Sequence, residues 1–426
     1  MPGTVRFDDV LEQLNSPHEA ERERAARHLA QLGRTGLTPE QGIRALKAST
    51  LPYPDRSNGR SETAVDLIRA ALAVPFPEYL PQIIQRYGMW SERARGEVLR
   101  RLTRVQDVRA AQTVVTILEQ HARAGRVKAL PLGMYDSAPQ FAEVLFPALL
   151  SFLDVPKLRM AICQYALSFA AAHLIDHEML VPHADTIIAM SQKRRDWLAP
   201  RQRAEGVGWR WGPKYHRRRW PAGVLLDLLG YIPLPAAVSQ LREALDVYTD
   251  PRLRMYAALA LLRHNEEIDP AIITQIASCA ESRKWLYDGL QKLERFQLYP
   301  TALRTQAALA ESDLVDWLVH ARELGRAPDE IHLVKVIPFD TGEETGWLDY
   351  YLFRFRVVGR HWAARSGWMV GVAGPFLRKD APTIQSLGDT HSSYRRWTEK
   401  PIEDHISDVR QVMKAWRERH LAKDGE

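Results

Sequence analysis

From residue 6 to about residue 325, apolar residues recur every three or four positions, the period of one face of an α-helix. In QDVRAAQTVVTILEQHARA, the residues Val108, Ala111, Val114, Val115, Leu118 and Ala122 fall on one side. In ESRKWLYDGLQKLERF, Leu286, Leu290 and Leu293 do the same, flanked by Trp285 and Phe296. The runs are short and closely punctuated, and the punctuation has a chemical grammar. Ser16-Pro17-His18-Glu19 and Thr38-Pro39-Glu40-Gln41 each offer a hydroxyl cap, a proline at the first helical position, and a Glu or Gln three residues after the cap. Asp250-Pro251 predicts a third start, with a carboxylate facing the free amides and the positive end of the helix dipole.

After about residue 329 the pattern changes. IHLVKVI (331–337), WLDYYLFRFRVV (347–358) and GWMVGVAGPF (367–376) are rich in β-branched and aromatic residues, with glycine-bearing turn signals between them. They predict three strands of a small antiparallel sheet. PIEDHISDVRQVMKAWRERHL then reads as a closing helix, with Ile402, Ile406, Val409, Val412, Met413 and Trp416 on its inner face.

There is partial internal similarity. DVPKLRMAICQYAL (154–167) and TDPRLRMYAALALL (249–262) share Pro, a basic residue and Leu-Arg-Met before an alanine-rich apolar run. SPHEAERERAARHLA (16–30) and SERARGEVLRRL (91–102) are looser relatives. Through Asp250, Pro251, Leu253, Arg254, Ala257, Ala258 and Leu261 the chain resembles HEAT-repeat proteins, whose second helices often begin Asp-Pro-x-Val/Leu-Arg and continue Ala-Ala-x-x-Leu. The resemblance implies a mainly α protein. Residues 1–328 would be an α-solenoid of degenerate HEAT-like helical pairs, and residues 329–426 a small α+β domain. A physical reason points the same way, because one such pair cannot bury its apolar face without a stacked neighbour. A compact irregular helical domain is the alternative. The C-terminal part, through GWMVGVAGPF, is similar to C-terminal domains on uncharacterised bacterial HEAT-like proteins, which implies no activity.

Composition narrows the class. With 46% apolar and 26% charged residues over 426 positions, the chain is globular rather than disordered and needs no disulfide or metal to hold a core. Two isolated cysteines, Cys163 and Cys279, make neither a metal pattern nor a disulfide framework and fit a reducing compartment. The first residues lack a signal-peptide pattern, and no apolar run is long enough to span a bilayer. A cytoplasmic protein with no membrane partner is expected.

The net charge of +6 is local. Between Lys193 and Arg219, ten basic residues face only Asp196 and Glu205, a net +8 that leaves −2 for the rest of the chain. Within this segment, GWRWGPKYHRRRWP (208–221) holds Trp209, Arg210, Trp211, Lys214, Tyr215, Arg217, Arg218, Arg219 and Trp220. Its glycines and Pro213 predict a loop or two short turns. Interleaved arginines and rings suit an acidic protein partner, where Trp, Tyr and Arg dominate contact energies. They also suit nucleic acid, where guanidinium meets phosphate and rings stack on bases. A packing role is the third reading, with the tryptophans filling gaps between helices and the arginines paired or reaching solvent.

No catalytic constellation stands out. His173 and His177 are four apart, with His183 nearby, but the HExxH pattern is absent and no third metal ligand is set by spacing. Glu343, Glu344, Asp349 and His361 read as solvated acids and a nearby histidine around a turn. An enzyme centred there would need them to converge in a dry cleft. GVAGP lacks the phosphate-loop ending, GxSxG does not occur, and Cys163 lies in an apolar helix as a core residue would.

The expected function is therefore a non-catalytic binding or adaptor protein without cofactor or metal. It would recognise a macromolecule, foremost a protein, through its solenoid surface and the basic aromatic segment. Fold-level analogy extends this to an immunity-type neutraliser. The alternative is a nucleic-acid-binding module, since some HEAT-like DNA glycosylases resemble the expected architecture and use a basic concave face.

Overall fold

Helices begin where the caps and prolines permit. Thr38 forms a full capping box: its side chain accepts from the Gln41 amide, and the Gln41 side chain accepts from the Thr38 amide. Asp250 accepts from the amides of Arg252 and Leu253 at 2.9 and 3.2 Å. At the first expected cap the helix starts two residues late, at Glu19. Ser16 is turned into the loop, where its hydroxyl donates to Glu21 and accepts from the His18 amide.

A computed structural model describes residues 6–54, 62–74, 77–105, 107–131, 139–204, 211–320, 323–340, 346–358, 367–378, 391–396 and 400–421. The chain divides into two compact units, residues 1–189 with 231–234 and residues 190–230 with 235–426. The division falls inside one helix, Ala184–Ala204. Among the described residues, no helix is long and apolar enough to cross a membrane.

The first unit holds α1 (Phe7–Gln13), α2 (Glu19–Thr35), α3 (Pro39–Ala48), α4 (Thr63–Ala71), α5 (Tyr79–Arg86), α6 (Glu92–Leu102), α7 (Val108–His121), α8 (Pro139–Leu150) and α9 (Arg159–Ala171). Alternate helices pack together: α2 on α4, α4 on α6, α3 on α5 and α5 on α7. Gly42 of α3 makes one of these approaches close, because a Cβ there would lie 2.0 Å from the hydroxyl of the fully buried Tyr79. The expected core positions Ala111, Val114, Leu118 and Ala122 are buried, as is Cys163, whose thiol pKa burial pushes up to about 12.

Between α4 and α6 stands one buried carboxylate. Glu97 accepts from Arg69 and Arg101, each at 3.1 Å, and from Arg100. Burial pulls its pKa upward, but the arginine hydrogen bonds and charges outweigh this and hold it below the usual range. A folded value below the unfolded one means stabilisation that is present above the unfolded pKa and lost as pH falls through the folded one. Thermal melts between roughly pH 5 and pH 2 should therefore show a shallower loss of stability for Glu97→Gln than for the parent chain. Equal slopes would mean that the cluster contributes nothing.

In the second unit the helix that opened in the first, α10 (Ala184–Ala204), is followed by α11 (Pro213–Leu229), α12 (Pro235–Val247), α13 (Pro251–Arg263), α14 (Pro270–Ser278), α15 (Ala280–Lys292) and α16 (Gln306–Val319). Again alternate helices meet, α11 on α13 and α13 on α15. The three expected strands are present as β1 (Glu330–Asp340), β2 (Trp347–Arg356) and β3 (Met369–Leu377). A fourth, β4 (His391–Arg396), lies beside β3, giving an antiparallel order β1-β2-β3-β4. The closing helix is α17 (Ile402–Leu421); the side chains of Val412, Met413 and Trp416 lie outside the described residues.

Both sheet faces are covered, which explains why WLDYYLFRFRVV is nearly continuous in apolar residues. Tyr351, Phe353 and Phe355 join Ala310, Leu314 and Leu318 of α16, while Tyr350 and Leu352 turn to the other face with Val409, Ile402 and Ile406 of α17. Gly371 lets α16 approach, since a Cβ there would come within 3.0 Å of Leu314. The change of period near residue 329 thus marks a change of secondary structure within the second unit, and residues on both sides of it share one core.

Candidate partner-binding surface on helices α10 and α11

The segment expected to be a loop is helical from Pro213 onward. Gly212 occupies the cap position and Pro213 the first turn, where the missing amide hydrogen costs nothing. Pro221 lies inside α11 rather than ending it. The helix continues past it because Ala222–Leu226 and Leu228–Leu229 are buried, so packing overrides a local penalty. Trp209 and Arg210 lie outside the described residues. Trp211 is half-buried, with its ring 6.2 Å from that of His216.

Helical spacing divides the remaining residues into two sets. Tyr215 and Arg219, four apart, point inward and are 1% and 8% exposed. The Tyr215 hydroxyl donates to Asp250 and accepts from Gln202 of α10 at 3.1 Å. Burial and the adjacent Asp250 carboxylate push its pKa well above the ordinary value. The Arg219 guanidinium donates to Glu281 of α15 at 2.6 Å and lies 3.5 Å from Asp250. Burial opposes its charge, but the two carboxylates outweigh that and hold it protonated. Arg252 adds a second cation, 3.5 Å from Glu281 and paired with Asp316. Gln202 also accepts from the Thr249 amide at 2.8 Å. One buried polar network therefore ties α10, α11, α13 and α15 together.

The outward set is Lys214, Arg217, Arg218 and Trp220, all exposed. Trp220 is 53% exposed, whereas Tyr215 is buried. Across on α10, the Trp197 ring receives Arg201 at 4.2 Å and Arg218 at 4.6 Å. Burial, reinforced by the like charge of Arg218, lowers the Arg194 pKa. Arg195 is occupied, paired with Glu243 and bonded to Gln240 at 3.0 Å. Among the described residues, Lys193, Arg194, Arg201, Arg203, Lys214 and Arg218 make no ion pair. The surface can thus offer guanidiniums already laid against an aromatic ring to an anionic group.

Two of the nine residues named from the sequence, Tyr215 and Arg219, are engaged in buried contacts within the fold. Trp197 and Arg201 were missed as partners of Arg218. Their spacing of four in DWLAPRQ was a visible signal, but their meeting with Arg218 depends on how α10 and α11 pack.

The other candidates do not assemble. His173 has left-handed backbone (φ 55°) just past α9, and His177 opens a 3₁₀ turn, so the two do not share a continuous α-helix. Their rings are 6.4 Å apart, and His177 sits edge-on to Tyr231. Among the described residues, no group of three His, Cys, Asp or Glu could hold a metal ion. Asp349 is paired twice with Arg378, at 2.5 and 3.0 Å; Glu343, Glu344 and His361 lie outside the described residues.

Comparison with profiles of known protein families, with curated proteins and with solved structures finds no match.

Proposed function

We propose that this chain is a non-catalytic cytoplasmic binding protein that recognises an acidic protein partner through the surface formed by Trp197, Arg201, Lys214, Arg217, Arg218 and Trp220. The observation that carries this reading is the Trp197 ring contacted by two guanidiniums, on a helix pair tied together by buried hydrogen bonds. Preorganised aromatic and arginine side chains lose little freedom on binding, which is why they dominate interfaces. Packing between alternate helices in each unit supports a degenerate HEAT-like stack, in which a partner is recognised by area rather than in a closed pocket. By analogy of fold, an adaptor or an immunity-type neutraliser has these properties.

The test separates the outward set from the inward one. Deleting residues 208–221 would remove Tyr215 and Arg219 and the start of α11, so it would unfold rather than inform. The triple variant Lys214→Ala, Arg217→Ala, Arg218→Ala should instead keep its melting temperature and lose partners captured from host extract, with affinity lower by roughly tenfold or more. Retention of every partner by the triple variant would refute the choice of surface. The same cations and ring also suit a nucleic-acid strand. That second reading expects binding to RNA or DNA oligonucleotides that weakens steeply with added salt, and it fails if the protein ignores both at low salt.

A further inference from the structure

The first unit carries a cationic cleft far along the chain from the basic segment. Tyr87 opens a 3₁₀ turn after α5, Arg95 and Arg100 lie on α6, and Arg126 and Lys128 follow α7. Together with Arg93 and the carboxylates Glu62 and Glu92 they line a depression of about 480 Å³, with Leu99 as an apolar wall. That volume falls within the range of small-molecule sites.

Three observations set this cleft apart from an ordinary charged surface. Two of its polar atoms are unsatisfied: the Tyr87 side chain is fully buried, and among the described residues neither its hydroxyl nor the buried Arg95 Nε has a hydrogen-bond partner. Buried polar atoms without partners are rare and expensive, and a bound water or a ligand's acceptor oxygen would satisfy them. Its cations are under-compensated. Arg100 is taken by Glu97 and Lys128 reaches Glu92 at 3.3 Å, but Arg95 and Arg126 make no ion pair among the described residues. The neighbouring Lys128 lowers the Lys157 pKa, an effect of like charges that an anion would relieve. Its parts are positioned. The Arg126 guanidinium lies over the backbone of Gly88, where a Cβ would come within 2.8 Å of Nη1, and the His121 ring stacks on Tyr87 at 5.1 Å.

We propose that this cleft binds a small phosphorylated molecule, its phosphoryl group held by Arg95, Arg126 and the Tyr87 hydroxyl and its organic part resting against Leu99. Two guanidiniums and a hydroxyl match the charge and the several acceptor oxygens of a phosphate monoester better than a single carboxylate. The surrounding space exceeds what inorganic phosphate alone would fill. The residues of this site belong to the first unit and those of the α10–α11 surface to the second, and the proposal does not depend on that reading.

Titration calorimetry on the intact chain, with inorganic phosphate and phenyl phosphate as probes and acetate and benzoate as carboxylate controls, tests the proposal. Saturable binding of both phosphates is expected, with phenyl phosphate the tighter and the carboxylates weaker than either. Arg126 is exposed, so Arg126→Gln should fold normally and weaken phosphate binding about tenfold. Tyr87→Phe should also weaken binding while leaving the melting temperature unchanged or higher, because it removes an unsatisfied buried hydroxyl. The Lys214, Arg217, Arg218 triple variant should bind phosphate as the parent does. Absence of saturable binding to either phosphate, equal binding of the carboxylates, or undiminished binding by Arg126→Gln would each overturn the proposal.

Discussion

Replacing Arg219 with methionine should cost the second unit about 3–5 kcal/mol of stability, the range for breaking a buried ion pair by removing one partner. The methionine fills similar space but strands two carboxylates whose side chains are 0% and 1% exposed, Glu281 and Asp250. Arg252 remains near Glu281 at 3.5 Å but is already engaged with Asp316. Urea unfolding would read the loss as a lower midpoint. The neighbouring Arg218→Ala should move it by about 0.5 kcal/mol or less, because that side chain is exposed and makes no ion pair among the described residues. Arg219→Met combined with Glu281→Met should recover part of the loss, since an apolar pair leaves one fewer buried charge uncompensated. Should Arg219→Met prove as mild as Arg218→Ala, the inward network would not be what locks α11.

A second buried arginine carries a comparable expectation. Arg283→Met should cost about 3 kcal/mol, because charge-assisted hydrogen bonds to buried acceptors are among the strongest single contributions. Arg283 is 6% exposed. It donates to the carbonyls of Ala277 and Ser278 at 2.9 and 3.2 Å, which the end of α14 leaves without helical partners. The same guanidinium reaches the Ala308 carbonyl of α16 at 2.7 Å and Glu311 at 3.2 Å. Since α16 covers one face of the sheet, the loss should spread to near-ultraviolet signals from Tyr351 and Trp317, which pack in that core. Arg283→Lys should recover little, because one ammonium cannot serve three carbonyls set around a planar fork. Full recovery by lysine would show that charge alone matters there.

These two arginines mark the limit of what linear pattern conveys. Arg219 looked identical in sequence to Arg217 and Arg218, yet it neutralises buried acids while they face solvent. Nothing in RRR distinguishes the three until α11 has a rotation, and that rotation is set by the apolar run after Pro221. The loop expected at 208–221 was misplaced for the same reason. Glycine and proline signals are local penalties of a few kcal/mol at most, and the burial of Ala222–Leu229 outweighs them from Pro213 onward. The cleft around Tyr87 and Arg126 was invisible because its residues are scattered over forty positions and none forms a motif alone.

The amino-acid sequence by itself determined the helical period of the first three quarters, the caps at Thr38 and Asp250, the burial of Cys163, and the strands β1 to β3, because each depends on a residue and its near neighbours. Only the tertiary structure decided which basic residues face outward, that Arg201 and Arg218 both lie over the Trp197 ring, that a fourth strand joins the sheet, and that the β-region shares its core with α16. Those outcomes turn on contacts between segments distant in the chain, where burial and charge pairing add up only once the helices have chosen their neighbours.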